Sequence, residues 1–249
     1  MATSPEAEQS NAASDQWIAR ILNIEASNAG DLPAWWRDAY HSYRKTLEQP
    51  DYPCFFGQAA ERRGEMFYAF EGERPETARA TMQCFVELGH DPKLRRHSLA
   101  MFCTPDPALT SHAEFLRRFW TLLQQLQEAD NVPMQPADPD DPLWEFSFGG
   151  RKMFVVGTAP TYRQRRSRVV GSGIVLLFQP RELFTDLATG KPIAAEIRRQ
   201  IHARMLEYDA MPVHPDIGFY GDPHNREWKQ YCLPDDNTPV TGRCPFGGR

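Results

Sequence analysis

The apolar residues of this chain come in short runs, each ended by proline, glycine or charge, and this limits its folds more than any other feature. No uninterrupted run is longer than that of residues 174–178, against the roughly 20 apolar residues that a bilayer-spanning helix needs. Of 249 residues, 21 are proline and 16 glycine, while 41% are hydrophobic, so a coiled coil or helical repeat is excluded as well. What remains is a loop-rich, water-soluble domain built from short elements and long enough to bury a sizeable core.

Charge and cysteine usage narrow the partners. With 28 basic and 33 acidic residues the net charge is −5, so no global positive field draws in nucleic acid. Cys54, Cys84, Cys103, Cys232 and Cys244 are an odd number with no CxxC pair; they read as free thiols of a reducing cytoplasm, and no zinc knuckle is expected. Residues 1–14 carry neither a basic start nor an apolar stretch, so no export signal is expected. Their Ala, Ser, Glu and Asn content predicts a disordered tail ahead of one domain over 15–249.

Periodicity predicts the elements. Trp17, Ile18, Ile21 and Leu22 have helical spacing, and Asp31 with Pro33 reads as the start of a second helix reaching Leu47. A short helix over 58–63 should stop at Gly64, followed by a strand over 66–70. Ala78, Met82, Phe85 and Val86 predict a helix over 76–88 capped by Gly89, then a strand over 98–103. Ser111 and Glu114 form a capping box for a helix to about 129. The proline- and aspartate-rich stretch 131–142 is a loop. Trp144, Phe146 and Phe148 alternate ahead of Gly149-Gly150 and predict a hairpin, and residues 174–179 a strand that pairs with it. A last helix over 192–208 carries Ile193, Ile197, Ile201 and Met205 inward. Helices flanking a central group of strands without strict alternation predict an α+β fold, a single domain with a mostly antiparallel sheet.

The densest chemistry lies at 214–231, HPDIGFYGDPHNREWKQY, where two His, two Gly and several carboxylates share a nonperiodic loop. His214-Pro215 and Asp222-Pro223 are stiff turns that aim side chains, while Gly218 and Gly221 let a planar ligand approach. This string, with Leu233-Pro234-Asp235-Asp236-Asn237 after it, resembles the C-terminal signature of the YqcI/YcgG family. Tyr52-Pro53-Cys54-Phe55-Phe56-Gly57, Pro142-Leu143-Trp144-Glu145-Phe146, the stretch from Tyr162 to Arg168, and Phe178-Gln179-Pro180-Arg181-Glu182-Leu183-Phe184 agree in order, so the match spans about residues 50–246.

The resemblance implies a heme b enzyme that hydroxylates a guanidine nitrogen of arginine or an arginine derivative with O2. Its axial ligand is expected at His214, with His97 and then His41 behind it; His90, His112, His202 and His224 compete less well. Cys54 is the thiolate alternative. In the run 163–168 (RQRRSR), alternate arginines on an extended segment would face one side, so Arg166 and Arg168 are expected at heme propionates or a substrate carboxylate, with Arg181 in the same role. Tyr220, Asp222 and Glu227 are the candidate catalytic residues, and Glu227, Asp222, Asp216 or Glu145 would pair with a guanidinium. Gly171-Ser172-Gly173 precedes its strand instead of following it, so no dinucleotide fingerprint is present and electrons are expected from an external donor. A homodimer is compatible with this reading. The competing expectation is a noncatalytic heme-binding or heme-sensing protein, for which Cys244-Pro245-Phe246 would matter.

Overall fold

Each short strand leaves unpaired backbone groups on both sides, and they are satisfied here by joining five strands into one sheet. A computed structural model describes residues 20–22, 32–72, 74–187, 192–220 and 222–247. Its helices are α1 (Ala34–Leu47), α2 (Phe55–Arg63), α3 (Pro75–Leu88), α4 (His112–Ala129), α5 (Pro192–Asp209) and α6 (Trp228–Tyr231). The strands are β1 (Met66–Phe70), β2 (Ser98–Phe102), β3 (Ser147–Phe148), β4 (Arg151–Thr158) and β5 (Val175–Pro180), in spatial order β1-β2-β5-β4-β3. β1 and β2 run parallel, with α3 as their crossover, and the other pairings are antiparallel. The fold is α+β with a mostly antiparallel sheet, as expected. Among the described residues no helix is long and apolar enough to cross a membrane.

Local signals account for most boundaries. Ser111 accepts from the Glu114 amide while Glu114 accepts from the Ser111 amide, closing the capping box of α4. Gly64 ends α2 at φ +71°, a left-handed position that glycine takes without strain. Gly89 also ends its helix, but in the right-handed region at φ −67°. Asp31, Trp17 and Ile18 lie outside the described residues, as do residues 1–14; Pro33 stands at the cap of α1. Ile21 is extended, not helical: it bridges Tyr68 in parallel, and the Leu22 amide donates to the Tyr68 carbonyl at 2.9 Å. The free edge of β1 outcompetes the helical spacing there.

Both faces of β1 and β2 are covered, which is why every position of the two strands is buried and all but Ser98 are apolar. One face carries Phe67, Leu99, Met101, Val155, Leu176 and Phe178 against α3 and α4. The opposite face is divided. Over β1 and β2, Tyr68, Phe70, Ala100 and Phe102 are sealed by Trp36, Tyr40 and Tyr43 of α1. Over β4 and β5 the same face is hollow, and α5 stands across the gap.

Candidate active site

The hollow half holds a cavity of about 590 Å³, inside the range of about 300–1,000 Å³ usual for cofactor and substrate sites. Its floor is the alternate set of β4 and β5 side chains, Phe154, Val156, Leu177 and Gln179, which the pleat turns away from the α3/α4 side. Ile201 and Met205 of α5 form the facing wall, as their spacing predicts. The side chain of Ile193 is outside those described, and Ile197 does not reach the cavity. Residues 217–220 close the rim, where Gly218 is required: a Cβ there would sit 2.7 Å from the Asn225 side-chain oxygen.

The polar groups on these walls are few. His202 is the one histidine among the described residues that lines the cavity. Burial, and the nearby Arg198, push its pKa below the ordinary imidazole value. Arg198 precedes it by one helical turn, its guanidinium lies 3.9 Å from the centroid of the Phe219 ring, and its buried Nη1 has no hydrogen-bond partner. Arg168 enters from the other side, donating to the carbonyls of Gln230 and Tyr231 at 3.1 Å, with no carboxylate partner among the described residues. Cys54 also lines the cavity, but its Sγ accepts from the Gly57 amide as the cap of α2, and burial pushes the thiol pKa up.

An acidic unit occupies one end. Arg181, at the end of β5, donates through Nε to Glu145 Oε2 at 2.8 Å and through Nη2 to Glu227 Oε1 at 3.1 Å. The Tyr220 ring covers its guanidinium with the carbon 3.9 Å from the ring centroid. Burial opposes the charge of Arg181, yet its bonds to the two carboxylates hold its pKa above the ordinary value. Glu227 lines the cavity, and its Oε2 is buried without a hydrogen-bond partner. Burial, and the negative Glu145 close by, push Glu227 up to about 7 although Arg181 pulls the other way.

The expected site residues therefore separate. Glu227, Tyr220, Arg168, Arg181 and Cys54 meet at the cavity. His214 does not: its Nε2 bonds the Thr238 carbonyl at 3.0 Å and its Nδ1 accepts from the Asp216 amide at 3.2 Å, so both ring nitrogens are spent on folding the loop. Asp216 accepts from the Val240 amide, tying two loops together, and Asp222 accepts from the His224 amide in a local turn. Arg166 is exposed and donates to the Tyr208 carbonyl. Its segment is a turn leading into a single 3₁₀ turn, not a strand, so alternation fails and the buried members are Arg165 and Arg168. Arg165 grips the 234–237 loop, while the Asp235 carboxylate takes the amides of residues 163–165. His97 packs on Phe67 of the α3/α4 face, and His41 is exposed. Phe246 packs on Trp120 and Trp144, and burial pushes the Cys244 thiol up to about 12, so the Cys-Pro tail is core cover. Sequence reasoning misses Arg198, ranks His202 behind other histidines, and names Glu145 and Arg181 without pairing them; the four-residue spacing of Arg198 and His202 on one helix is the available signal.

This is a mixed α+β domain with a mainly apolar cavity carrying an imidazole, cations without carboxylate partners among the described residues, and an acidic end. The YqcI/YcgG family model matches residues 43–247, and the chain belongs to that family. It is 33% identical to "Uncharacterized protein YcgG" of Bacillus subtilis (strain 168), covering 87% of this chain and 89% of the relative. YqcI of the same organism is 32% identical, with 86% and 89% covered. "Putative N(omega)-hydroxy-L-arginine synthase DcsA" of Streptomyces lavendulae is 30% identical, with 87% and 85% covered. No solved structure matches.

Proposed function

We propose that this chain is a heme-dependent N-hydroxylase acting on a guanidine-containing small molecule, arginine or a derivative, with O2 and electrons from an external donor. One observation carries the reading: a single cavity holds an imidazole, two arginines with no carboxylate partner among the described residues, and a buried carboxylate oxygen with nothing bonded to it among them. The name of the Streptomyces relative supports the arginine part.

A macrocycle brings most of its own metal donors and asks the chain for one axial side chain and cations for its propionates. His202 meets the first need, and Arg198, with its unbonded buried Nη1, and Arg168 meet the second. Apolar walls from Phe154, Val156, Leu177, Ile201 and Met205 suit the porphyrin faces. The residues fit, and the part expected of His214, whose ring nitrogens are engaged in its loop, would fall to His202. Bound there, heme would supply the redox chemistry that no side chain can.

The chain itself supplies recognition. Glu227 Oε2 would receive the guanidinium, whose planar fork suits a carboxylate. The apolar walls keep bulk water out and strengthen that pairing. With its pKa near 7, Glu227 can hold or release a proton at neutral pH next to the reacting nitrogen.

Protein from heme-supplied cells is expected to show a Soret band that His202→Ala removes or shifts and His214→Ala keeps. Arginine with reductant and O2 should then gain one oxygen by mass spectrometry. No Soret band after reconstitution sinks the heme reading. A band without an oxygenated product from any guanidine would make the protein a heme binder without turnover.

A further inference from the structure

Glu145 does not line the cavity, yet its side chain is completely buried next to Glu227, the one carboxylate among the described residues that does. Such a group is costly to bury unless it is paired. Its partner is Arg181, held through two guanidinium nitrogens on the same carboxylate oxygen. Lys152 Nζ stands 4.0 Å from the other oxygen. Arg181 thus has two claimants, and Glu227 receives a single bond, from Nη2 to Oε1. The Tyr220 ring on one side and Phe184, with its centroid 5.6 Å away, restrain the guanidinium further.

Free of Glu145, a guanidinium at this position would form a two-bond fork with Glu227, the preferred geometry of an arginine–carboxylate pair. Both oxygens of Glu227 would then be tied to an internal cation, and a ligand cation would meet a carboxylate already forked and neutralised. We propose that Glu145 is a positioning residue that holds Arg181 off the second oxygen of Glu227 and so keeps that oxygen open for an organic cation of the guanidinium class. This rests on the reading of the cavity as a guanidine site. Glu145 acts through Arg181 and does not touch the ligand.

The arrangement has a consequence that simple structural support would not have. The charged groups bearing on Glu227 are Arg181 and Glu145, with Lys152 behind Glu145, and the buried phenol of Tyr231 responds to Glu227. Removing the Glu145 charge takes away a repulsion and tightens Arg181 on Glu227. The midpoint of Glu227 should fall from about 7 toward the ordinary carboxylate range. Cation binding should weaken even though the carboxylate is now more fully ionised.

The experiment uses the full chain as isolated, with calorimetric titration of L-arginine and of methylguanidine, and carboxyl-carbon NMR of labelled glutamate. Glu145→Gln is expected to weaken both guanidines about tenfold near pH 8, where Glu227 is ionised in either protein, and to lower the Glu227 midpoint. The double variant Glu145→Gln/Arg181→Gln, which also removes the competing cation, should restore binding. Unchanged binding in Glu145→Gln, or no recovery in the double variant, overturns the proposal. Should Glu145→Gln not fold, Arg181→Gln alone gives the same test: binding should rise and the Glu227 midpoint should rise with it, and a fall in either overturns the proposal. If the unaltered protein binds neither guanidine at any pH, the cation site and the proposed function fall together. If it binds both but the Glu227 midpoint ignores Glu145→Gln, the role of Glu145 alone is lost.

Discussion

The two halves of one sheet face are built from the same strand and put to opposite uses. Val175 of β5 is sealed under the aromatic layer of α1, while Leu177 and Gln179, two and four residues along, look into the cavity. The difference is what lies above them. Trp36 stacks on Tyr40 with centroids 5.3 Å apart, and Tyr40 and Tyr43 both meet the Tyr68 ring edge-on, which leaves no room between α1 and the strands. α5 instead presents Arg198, Ile201, His202 and Met205 across open space. Its place is fixed at the margins, where Arg204 donates to the Pro50 and Tyr52 carbonyls and Asp209 takes the Ser167 amide and hydroxyl at 2.7 Å. A packed half that tolerates no change thus supports a hollow half that makes few contacts.

The sharpest break of this comparison is a matched pair of truncations. Trp36→Ala removes a fully buried ring and should cost about 3–5 kcal/mol in urea denaturation. Phe154→Ala, whose ring is half-buried against the cavity, should cost well under half of that, because little new void forms. Equal losses would mean that the hollow half is as tightly packed as the other.

The next effect is electrostatic and has a defined sign. Glu227 is raised from 4.5 to about 7 in the folded chain, so between those values the native state binds more protons than the unfolded one. Stability must then fall as pH rises through that window, by up to about 1.4 kcal/mol per unit of pH and less where water screens the site. In the packed half, the Tyr68 phenol donates to Glu61, and burial together with that carboxylate raises the phenol pKa, away from this window. Glu227→Gln should flatten the stability–pH curve between about pH 4.5 and 7 and weaken guanidine binding about tenfold or more. An unchanged slope would show that Glu227 titrates normally.

What was readable in the sequence divides along the same line. The packed half and the α3/α4 side are made of local signals: the capping box of Ser111 and Glu114, the Gly64 stop, and apolar strands covered on both faces. The hollow half is made of long-range ones. The role of Arg165 depends on residues 234–237, which lie about 70 positions away, and no local pattern announces such a grip. The alternation assumed for residues 163–168 failed because the Asp235 carboxylate folds those amides into a turn. His214 drew notice because it stands in the family string, but its rigid Pro215 neighbour serves loop geometry. His202 stood in plain sight on a helix whose inner row was read as apolar. A helix that roofs a cavity keeps polar groups beside that row, and periodicity alone does not mark them.

The smallest expected effect separates the two sulfur- and nitrogen-bearing candidates across the hollow. Cys54 sits where α2 begins, and its Sγ accepts a 3.4 Å bond from the Gly57 amide, the position where serine is among the best caps. Cys54→Ser keeps an acceptor there and should change stability by no more than about 0.5 kcal/mol. If His202 is the axial ligand, the same substitution leaves the Soret band of the ferrous CO complex in place, because the thiol is protonated and committed to its helix. A band that shifts or disappears in Cys54→Ser and survives in His202→Ala would reverse the assignment. It would move the ligand from the roof of the cavity to its rim at α2, and the packed half would then supply the metal-binding side chain as well as the support.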